Sequence, residues 1–558
     1  MMTTLLLVIF LLFETSFSMT NPNRNRNRNP NPNPNPIQFN WAGNHQFSSS
    51  KIVAPKNVDE LKKILKANNV GIKNQVKPLG ARHSFSNVAD TKGTLIQMTE
   101  MTEIIDLNEE EMYVKVEPGC TYAKLGIYLD KHGLALSNYA SLPHITIGGA
   151  ISTSTHGSGY HNQILASSVI SFEMLLMDDE TTLKKFVKDS SPHFYSALVS
   201  MGSVGILTSV TLKIEKQFFV RQCIYPGVEW NILLEDVKTF FQSAYSVSAF
   251  TDWGKNQDGT HDYLSSIFLK HKMKNNGVDK ENQKDCPVIR NIHPRSFHPL
   301  PLLDPSGCSP NGVGKSNVML PHFLPGNEPS GAGNELQTEY FIDFDQALNA
   351  LHALRGISEQ LAPFAQVSEF RVVAPDSFPM SVCYNKSAPC FGMHFTWIND
   401  VEGVKKKILP LVESTLSLFD PRPHLGKIHT IKPEIWRKRY PGYLEVLELA
   451  KKYDKMGRLK NDFLMKYLYG NDNDSTSTSS FDITSETLKD PRLAQIIKDF
   501  QQVAKEFDGM DEMDQILIDQ VDDVLAEDEE DLSTMASINQ QMESLIGGDL
   551  YGDFGDEL

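Results

Sequence analysis

Polar side chains recur at alternate positions in two short segments of the sequence, which is the spacing of a strand with one face in a cleft. Glu369 and Arg371 are two residues apart, and so are His394 and Thr396. Because successive side chains of a strand point to opposite faces, each pair shares a face. Together with the His424–Lys427 segment, they would offer donors and acceptors suited to an uncharged ligand rich in hydroxyl groups. The alternative is a lattice of surface ion pairs without function.

Glycine and hydroxyl residues crowd a second segment, 140–159. Small side chains let the backbone approach a ligand closely and direct N–H and O–H donors at an anion such as a pyrophosphate. A structural turn region is the alternative explanation for this composition. Gly80–His83, at the end of a predicted strand, has the same ambiguity, since a single histidine is usually a polar residue with an ordinary partner.

These segments need a scaffold of mixed helices and strands. Strands, helices and glycine turns alternate as far as Glu215, and strands mix with longer helices from Phe218 onward, which predicts two domains. The spacing of apolar residues predicts a helix over 121–132, closed by Gly133, and one helix over 347–360.

The 558 residues carry a net charge of -16, with 40% hydrophobic and 22% charged residues. This composition excludes a collagen-like chain, a wholly disordered chain and a multi-span membrane protein.

The six cysteines are too few for a small disulfide scaffold. Cys383 and Cys390 are interpreted as a disulfide of a secreted protein rather than as metal ligands, and no metal site is predicted. The net negative charge lies after Gly470, and the rest of the chain, which is near neutral, is a poor match to nucleic acid.

Both ends of the chain differ from the body. Residues 1–18 contain an apolar run before small residues and predict a cleaved signal peptide and the secretory route, with a buried or disordered N-terminus as the alternative. An Asn/Pro/Arg-rich spacer follows at 19–39. Residues 471–558 form an acidic, partly disordered tail whose partner the sequence does not identify, and its final Gly-Asp-Glu-Leu is similar to an ER-retrieval signal. Asn385 and Asn473 begin glycosylation acceptor patterns.

At these motifs the chain resembles the vanillyl-alcohol-oxidase-type FAD flavoproteins, and among them the alditol (xylitol) oxidases and the related aldonolactone oxidases. The resemblance covers roughly 40–467. It rests on separate segments that occur in the same order: Asn40–Asn44, Arg82–Phe85, Ala140–Ile145, Thr155–Gly159, Ala244–Ser248, Thr251–Trp253, Glu369–Arg371, His394–Trp397 and Arg422–Lys427. The chain departs from the pattern at Leu425, where relatives often carry Trp, and at Arg82, where they carry a small residue.

The resemblance implies an α+β, two-domain FAD-binding fold of the VAO/PCMH type. An FAD-binding domain would occupy 40–215 and a substrate (cap) domain 216–435. A C-terminal segment, 436–470, would return to the FAD-binding domain. The leader, the spacer and the tail lie outside the family pattern, so the resemblance says nothing about localisation.

The resemblance also implies two sets of site residues. The flavin would be bonded covalently through His83, and the residues expected to bind FAD are Gly80, Ala81, Arg82, His83, Ser84, Ser141, Thr146, Gly149, Thr153, Ser154, Thr155, His156, Ile206 and His424. The residues expected to bind substrate are Ser141, Glu369, Arg371, Thr396 and Lys427, of which Glu369, Arg371 and Lys427 would be catalytic.

The activity implied is oxidation of a small alditol such as xylitol or sorbitol. Hydride would pass from C1 to flavin N5, while Arg371 and Lys427 stabilise the developing alkoxide and help its proton depart. O₂ would then take the electrons and give hydrogen peroxide and an aldose. The expected partners are therefore the polyol and O₂, with no nucleic acid and no membrane span. An aldonolactone oxidase or dehydrogenase and a non-catalytic secreted flavin-binding protein are the alternatives.

Overall fold

A computed structural model describes residues 39–49, 51–67, 75–178, 180–254, 263–273, 286–300, 305–325 and 335–470. The predicted signal peptide, nearly all of the spacer and the whole acidic tail lie outside these ranges. No helix within them is long and apolar enough to cross a bilayer.

The first part of the described chain mixes strands and helices, as expected, but the strands often follow one another without a helix between them. Its strands are β1 (Lys51–Val53), β2 (Val76–Leu79), β3 (Thr94–Gln97), β4 (Ile104–Asn108), β5 (Tyr113–Val116), β6 (Leu134–Ala135), β7 (Val169–Leu176), β8 (Leu183–Val187), β9 (Gly205–Lys213) and β10 (Glu215–Lys216). Its helices are α1 (Val58–Ala67), α2 (Tyr122–Lys131), α3 (Ile147–Ser152) and α4 (Phe194–Leu198).

These strands form small sheets that leave loops free to line a cavity. A parallel sheet has the order β1-β3-β2, an antiparallel sheet has the order β4-β5-β9-β7-β8, and β10 pairs with β6. Helix α2 confirms the expected 121–132 helix. It starts where the side chain of Thr121 accepts a hydrogen bond from Lys124 N at 3.1 Å, and it is followed by Gly133 at φ +67°.

The second part of the chain is built on one large sheet. Its strands are β11 (Phe219–Glu229), β12 (Ser246–Thr251), β13 (Tyr263–Lys272), β14 (Gly312–Lys315), β15 (Glu335–Asp343), β16 (Ala365–Val373), β17 (Cys390–Ile398) and β18 (Arg422–Pro423). Its helices are α5 (Asn231–Leu234), α6 (Val237–Gln242), α7 (Ser316–Met319), α8 (Ala347–Gly356), α9 (Ser358–Leu361), α10 (Val401–Gly403), α11 (Leu409–Thr415), α12 (Pro433–Arg439), α13 (Tyr443–Tyr453) and α14 (Asp462–Leu464).

The eight strands of this sheet are antiparallel in the order β14-β11-β13-β12-β16-β17-β15-β18. The alternating polar pairs predicted at 369–371 and 394–396 lie on β16 and β17, which are neighbours. The prediction of one helix over 347–360 is wrong, because the chain leaves the helical conformation at Ile357 (φ -108°, ψ 14°) between α8 and α9. Gly356 immediately precedes this break. Glycine destabilises a helix because it loses more conformational freedom on folding than other residues, so the helix tends to end near it.

The change from the small sheets to the large one falls between β10 and β11, near the predicted boundary at 215/216. Further along, the chain returns to the first sheet, where Val76 N donates to Arg458 O at 2.7 Å. The guanidinium of Arg458 also donates to Leu65 O at 2.7 Å. The domain boundaries themselves stay a prediction.

Two disulfides tie parts of the large-sheet segment together. Cys383 is bonded to Cys390, which confirms the predicted pair, and Cys223 is bonded to Cys286, which was not predicted. The second pair is 63 residues apart along the sequence, so tertiary structure rather than local sequence brings the two cysteines together.

Candidate active site

Three neighbouring strands carry a row of polar side chains on one face of the large sheet. In the β16, β17 and β15 pairing, Glu369 is opposite His394, and His394 is opposite Glu339. The next pair along β17 and β15 is Thr396 opposite Gln337. Residues directly opposite each other in a sheet point to the same face, so the register builds one continuous polar surface.

Glu339 is the centre of this surface. Its Oε1 accepts a hydrogen bond from an Arg371 terminal nitrogen at 2.6 Å and lies 3.2 Å from His156 Nε2. Its Oε2 lies 3.5 Å from His394 Nδ1. Burial alone would raise the pKa of Glu339, but the contacts with His156 and Arg371 hold that pKa well below its usual range. Glu339 is therefore an ionised carboxylate inside the protein.

Arg371 is positioned by acidic groups and by a hydroxyl. One terminal nitrogen binds Glu339, and the other donates to Ser141 Oγ at 3.0 Å. Glu369 Oε1 is 3.5 Å from Arg371 Nε and 3.7 Å from His322 Nε2, and within the described residues it accepts no hydrogen bond. A buried carboxylate oxygen in this state is available to a ligand hydroxyl.

Lys427 reaches the same surface from the loop after β18. The loop is fastened to the edge of β15, since His424 N donates to Glu339 O at 2.9 Å and Ile428 N donates to Gln337 O at 3.1 Å. The Lys427 amine contacts the side-chain oxygen of Gln337 and lies 4.9 Å from the centre of the Phe85 ring. Burial lowers the pKa of Lys427 to about 8, so a neutral amine is present near neutral pH.

A trough lined by small side chains adjoins this surface, and its residues fit FAD. At Gly80, a Cβ would lie 2.2 Å from Thr146 Oγ1, so only glycine lets these two segments approach. His83 follows in the same turn, with its ring 4.9 Å from the Trp41 ring. Burial, together with Lys427 and two other basic side chains, lowers the pKa of His83 to about 3. The imidazole is therefore neutral, which a covalent bond to flavin would require of its nucleophile.

The structure brings most of the predicted site residues to one cavity. Those that line it are Gly80, Ala81, Arg82, His83, Ser84, Ser141, Thr146, Gly149, Thr153, Thr155, His156, Glu369, Arg371, Thr396, His424 and Lys427. Ser154 and Ile206 do not line it. Ser154 has φ +61° and its Oγ accepts from Val382 N at 3.1 Å, while Ile206 points into the core because side chains alternate along β9.

Three cavity residues on β15 were not predicted. Glu335, Gln337 and Glu339 all line the cavity. They stand at alternate positions in Glu-Leu-Gln-Thr-Glu, which is the same period-two signal that identified Glu369 with Arg371 and His394 with Thr396. His322 was also missed, and its loop carries no comparable pattern.

Glu339, His156 and His424 offer ligand-type atoms within 4.8 Å of one another. A cation at this point would meet the guanidinium of Arg371, which already binds Glu339 Oε1 at 2.6 Å. Like charges at this distance repel, so the arrangement favours the ion pair over a metal. The expectation of no metal site stays a prediction.

Known proteins share this chain's motifs over most of its length. Residues 49–184 match the family described as FAD binding domain, and residues 334–467 match that described as D-arabinono-1,4-lactone oxidase. The chain is 34% identical to an alditol oxidase of Streptomyces sp. (strain IKD472 / FERM P-14339), over 77% of this chain and 99% of that protein. It is 26% identical to L-gulonolactone oxidase of Mus musculus, over 78% of this chain and 98% of that protein.

The fold is also shared with more distant proteins. Cholesterol oxidase from B. sterolicum superposes with a TM-score of 0.63 at 14% sequence identity, covering 77% of this chain and 96% of that chain. At this identity the likeness concerns the fold alone. It agrees with the expected α+β, VAO/PCMH-type architecture.

Proposed function

The chain belongs to the alditol oxidase family of FAD flavoproteins, and from this premise we propose that it oxidises C1 of a small alditol such as xylitol or sorbitol to the aldose. When bound, FAD supplies the hydride acceptor and, through O₂, the release of hydrogen peroxide. The observation that carries the proposal is the shared cavity, in which Arg371, Lys427 and the unbonded Glu369 oxygen adjoin the trough that fits FAD.

The charges of the cavity suit an uncharged substrate. Arg371 is compensated by Glu339 and Glu369, at 2.6 Å and 3.5 Å. A substrate carboxylate would therefore meet no uncompensated positive charge at Arg371, whereas hydroxyl groups find acceptors on Glu369 and hydroxyl partners on Ser141 and Thr396. This balance favours a polyol over a sugar acid.

The proton of the reacting hydroxyl needs an acceptor within the cavity. Lys427, with its pKa lowered to about 8, is neutral in about a tenth of molecules at pH 7 and takes that proton. The guanidinium of Arg371 stabilises the alkoxide that forms, and the negative charge on oxygen promotes departure of hydride from C1. Glu369 holds a further hydroxyl and so orients the carbon chain.

We further propose that His83 bonds covalently to the flavin. Three observations support this: the ring lines the trough, its neutral form is strongly favoured, and it packs beside Trp41. The remaining trough residues, from Gly80 to Ser84 and from Thr146 to His156, would hold the cofactor mainly through backbone and hydroxyl groups.

An aldonolactone oxidase is the second candidate. The specific observation in its favour is that residues 334–467, which contain β15 to β17, match the D-arabinono-1,4-lactone oxidase family. Both substrate classes are uncharged and rich in hydroxyl groups, so the charge balance at Arg371 does not separate them.

Oxygen consumption separates the candidates. Purified protein is assayed with xylitol, sorbitol, glycerol, D-arabinono-1,4-lactone and L-gulono-1,4-lactone, with Arg371→Met as the matched inactive control. Uptake with the polyols alone is the expected result, and uptake with the lactones alone would replace the first proposal with the second. Yellow protein that consumes oxygen with neither class contradicts both and indicates a non-catalytic flavoprotein or a different electron acceptor.

For localisation we propose the secretory route. The Cys223–Cys286 and Cys383–Cys390 disulfides support it, because disulfides persist mainly in oxidising compartments. The predicted leader at 1–18 and the final Gly-Asp-Glu-Leu lie outside the described residues. Retention in the endoplasmic reticulum rests on that tetrapeptide alone, and the partner of the acidic tail is not assigned.

A further inference from the structure

The cavity does not end at the polar row on the large sheet. Next to Glu369 its lining changes, because Phe250 is opposite Glu369 across the sheet and His322 Nε2 lies 3.7 Å from Glu369 Oε1; we call this region the distal compartment. Its wall consists of Phe250, His298, Leu300, His322, Phe323 and Val367. The cavity therefore has a charged region around Arg371 and Glu369 and, next to it, a region of aromatic and aliphatic side chains with two imidazoles.

The distal compartment is fastened to the predicted substrate residues. His322 Nε2 lies 3.7 Å from Glu369 Oε1, and the backbone N–H groups of His322 and Phe323 both donate to Ser141 O, at 2.9 and 3.2 Å. The Phe250 ring packs 5.6 Å from the His322 ring. Consider a linear polyol with its reacting carbon at Arg371 and its next hydroxyl groups in contact with Glu369. Its remaining carbons would extend into the distal compartment.

His298 is the polar group of the compartment whose bonding is incomplete. Its Nδ1 accepts a hydrogen bond from Leu300 N at 3.2 Å, which puts the proton of the neutral ring on Nε2. Nε2 has no hydrogen-bond partner among the described residues, although the residue is only 8% exposed. Burial and the charge of Lys270 lower the pKa of His298 to about 4, so the ring is neutral at working pH. A buried donor without a partner costs free energy that a ligand acceptor would recover.

The neighbours of His298 indicate what such a ligand is. Its ring lies 5.5 Å from the Phe323 ring and 6.4 Å from the Phe268 ring. The nearby amine of Lys270, whose pKa burial lowers to about 7, already donates to the carbonyls of Leu320 and Pro321, at 2.6 and 3.2 Å. An N–H donor among apolar rings suits an uncharged hydroxyl on a carbon chain, whose C–H groups contact the aromatic faces.

We propose that the distal compartment binds the end of the polyol remote from the oxidised carbon, with His298 Nε2 donating to a terminal hydroxyl group. This inference rests on the proposed alditol oxidase function and adds chain-length selectivity to it. A six-carbon or five-carbon polyol reaches the compartment, whereas the three-carbon glycerol ends near Glu369. His298 is then a specificity-determining residue rather than a catalytic one.

Two substitutions of His298 separate its two nitrogens. An Asn side chain ends near the position of Nδ1, so His298→Asn keeps an acceptor for Leu300 N and removes the Nε2 donor. A Gln amide nitrogen reaches about the position of Nε2, so His298→Gln keeps a donor there. His132→Asn, an exposed histidine whose Nδ1 contacts Tyr128 O, is the matched control.

The measurement is kcat/KM for glycerol, xylitol and sorbitol with each variant. His298→Asn should lower the sorbitol-to-glycerol ratio of kcat/KM by about five- to tenfold, the effect of one neutral hydrogen bond, and His298→Gln should recover part of it. His132→Asn should keep the wild-type ratio. A ratio in His298→Asn equal to that of the wild type, or a loss equal for all three polyols, would overturn the proposal.

Binding is measured in parallel by anaerobic stopped-flow reduction of the flavin with the same three polyols, because the dependence of the reduction rate on polyol concentration gives Kd without involvement of O₂. His298→Asn should weaken sorbitol binding about five- to tenfold more than glycerol binding. If the wild type turns over the polyols and the ratio stays constant in His298→Asn, only the distal compartment is refuted. If the wild type neither binds nor oxidises any of the three, the proposed alditol function fails, and the assigned ligand class fails with it.

Discussion

Replacing Glu339 with Gln tests whether this buried carboxylate positions the catalytic guanidinium. Glu339 Oε1 binds Arg371 at 2.6 Å and lies 3.2 Å from His156. Hydrogen bonds to a charged group contribute about 1.5–3 kcal/mol and neutral ones about 0.5–1.5 kcal/mol, so removing the charge weakens each contact by about 1 kcal/mol. The two together give about 2 kcal/mol, or roughly a 30-fold loss in kcat/KM for xylitol.

The assay is steady-state oxygen consumption, with flavin content and Tm measured on the same preparations. We expect the loss in kcat rather than in KM, with flavin content retained, because Glu339 acts through Arg371 and not on the substrate. Glu413→Gln is the control, since this partly buried carboxylate accepts from the Tyr340 hydroxyl at 2.8 Å outside the cavity. It should lower Tm without changing kcat/KM. Glu339→Gln within twofold of the wild-type kcat would refute the positioning role.

Three further predictions concern Lys427, His83 and Asn385. The pKa of Lys427 is lowered to about 8 and its neutral form takes the proton, so kcat/KM should rise with pH and level off above about 8. Lys427→Met should abolish this rise. A fall in kcat/KM above pH 8 would contradict the role of Lys427. Acid precipitation should keep flavin on the wild-type protein and on the exposed control His161→Ala but release it from His83→Ala, and free flavin from the wild type would exclude the covalent bond. Protein secreted from a eukaryotic host should carry a glycan at the exposed Asn385. Treatment with peptide N-glycosidase F should then shift the mobility of the wild type, and Asn385→Gln should lack that glycan. An unmodified Asn385 peptide by mass spectrometry would contradict the secretory assignment.

Local patterns were enough to predict several elements of the fold and the site. The period-two pairs Glu369/Arg371 and His394/Thr396 do lie on neighbouring strands, since the alternation of side chains along a strand is a property of a few consecutive residues. The Cys383–Cys390 disulfide was also within reach, because the two cysteines are seven residues apart. Helix α2 was predicted by its apolar spacing and its terminal glycine.

Predictions that needed three-dimensional information fared differently. The pattern of β15 contained the signal for Glu339, but nothing in the sequence says that this strand pairs with β17 and so places Glu339 beside Arg371. Ser154 matched a family position, yet its left-handed backbone turns the side chain toward Val382. The residues after Gly356 were predicted to continue the helix, although the chain leaves the helical conformation at Ile357.

Residue types and their local spacing were enough to identify the residues that can do chemistry, several short elements, and the polar faces of two strands. Tertiary packing brings Ser141 to 3.0 Å from Arg371, across 230 residues of chain, and makes His298 and His322 line the same cavity. The difference arises because local interactions and tertiary interactions act over different distances along the chain. Dihedral preferences and side-chain periodicity act over a few residues, whereas the distances in the site follow from strand order, register and loop attachment, which depend on the packing of the whole chain.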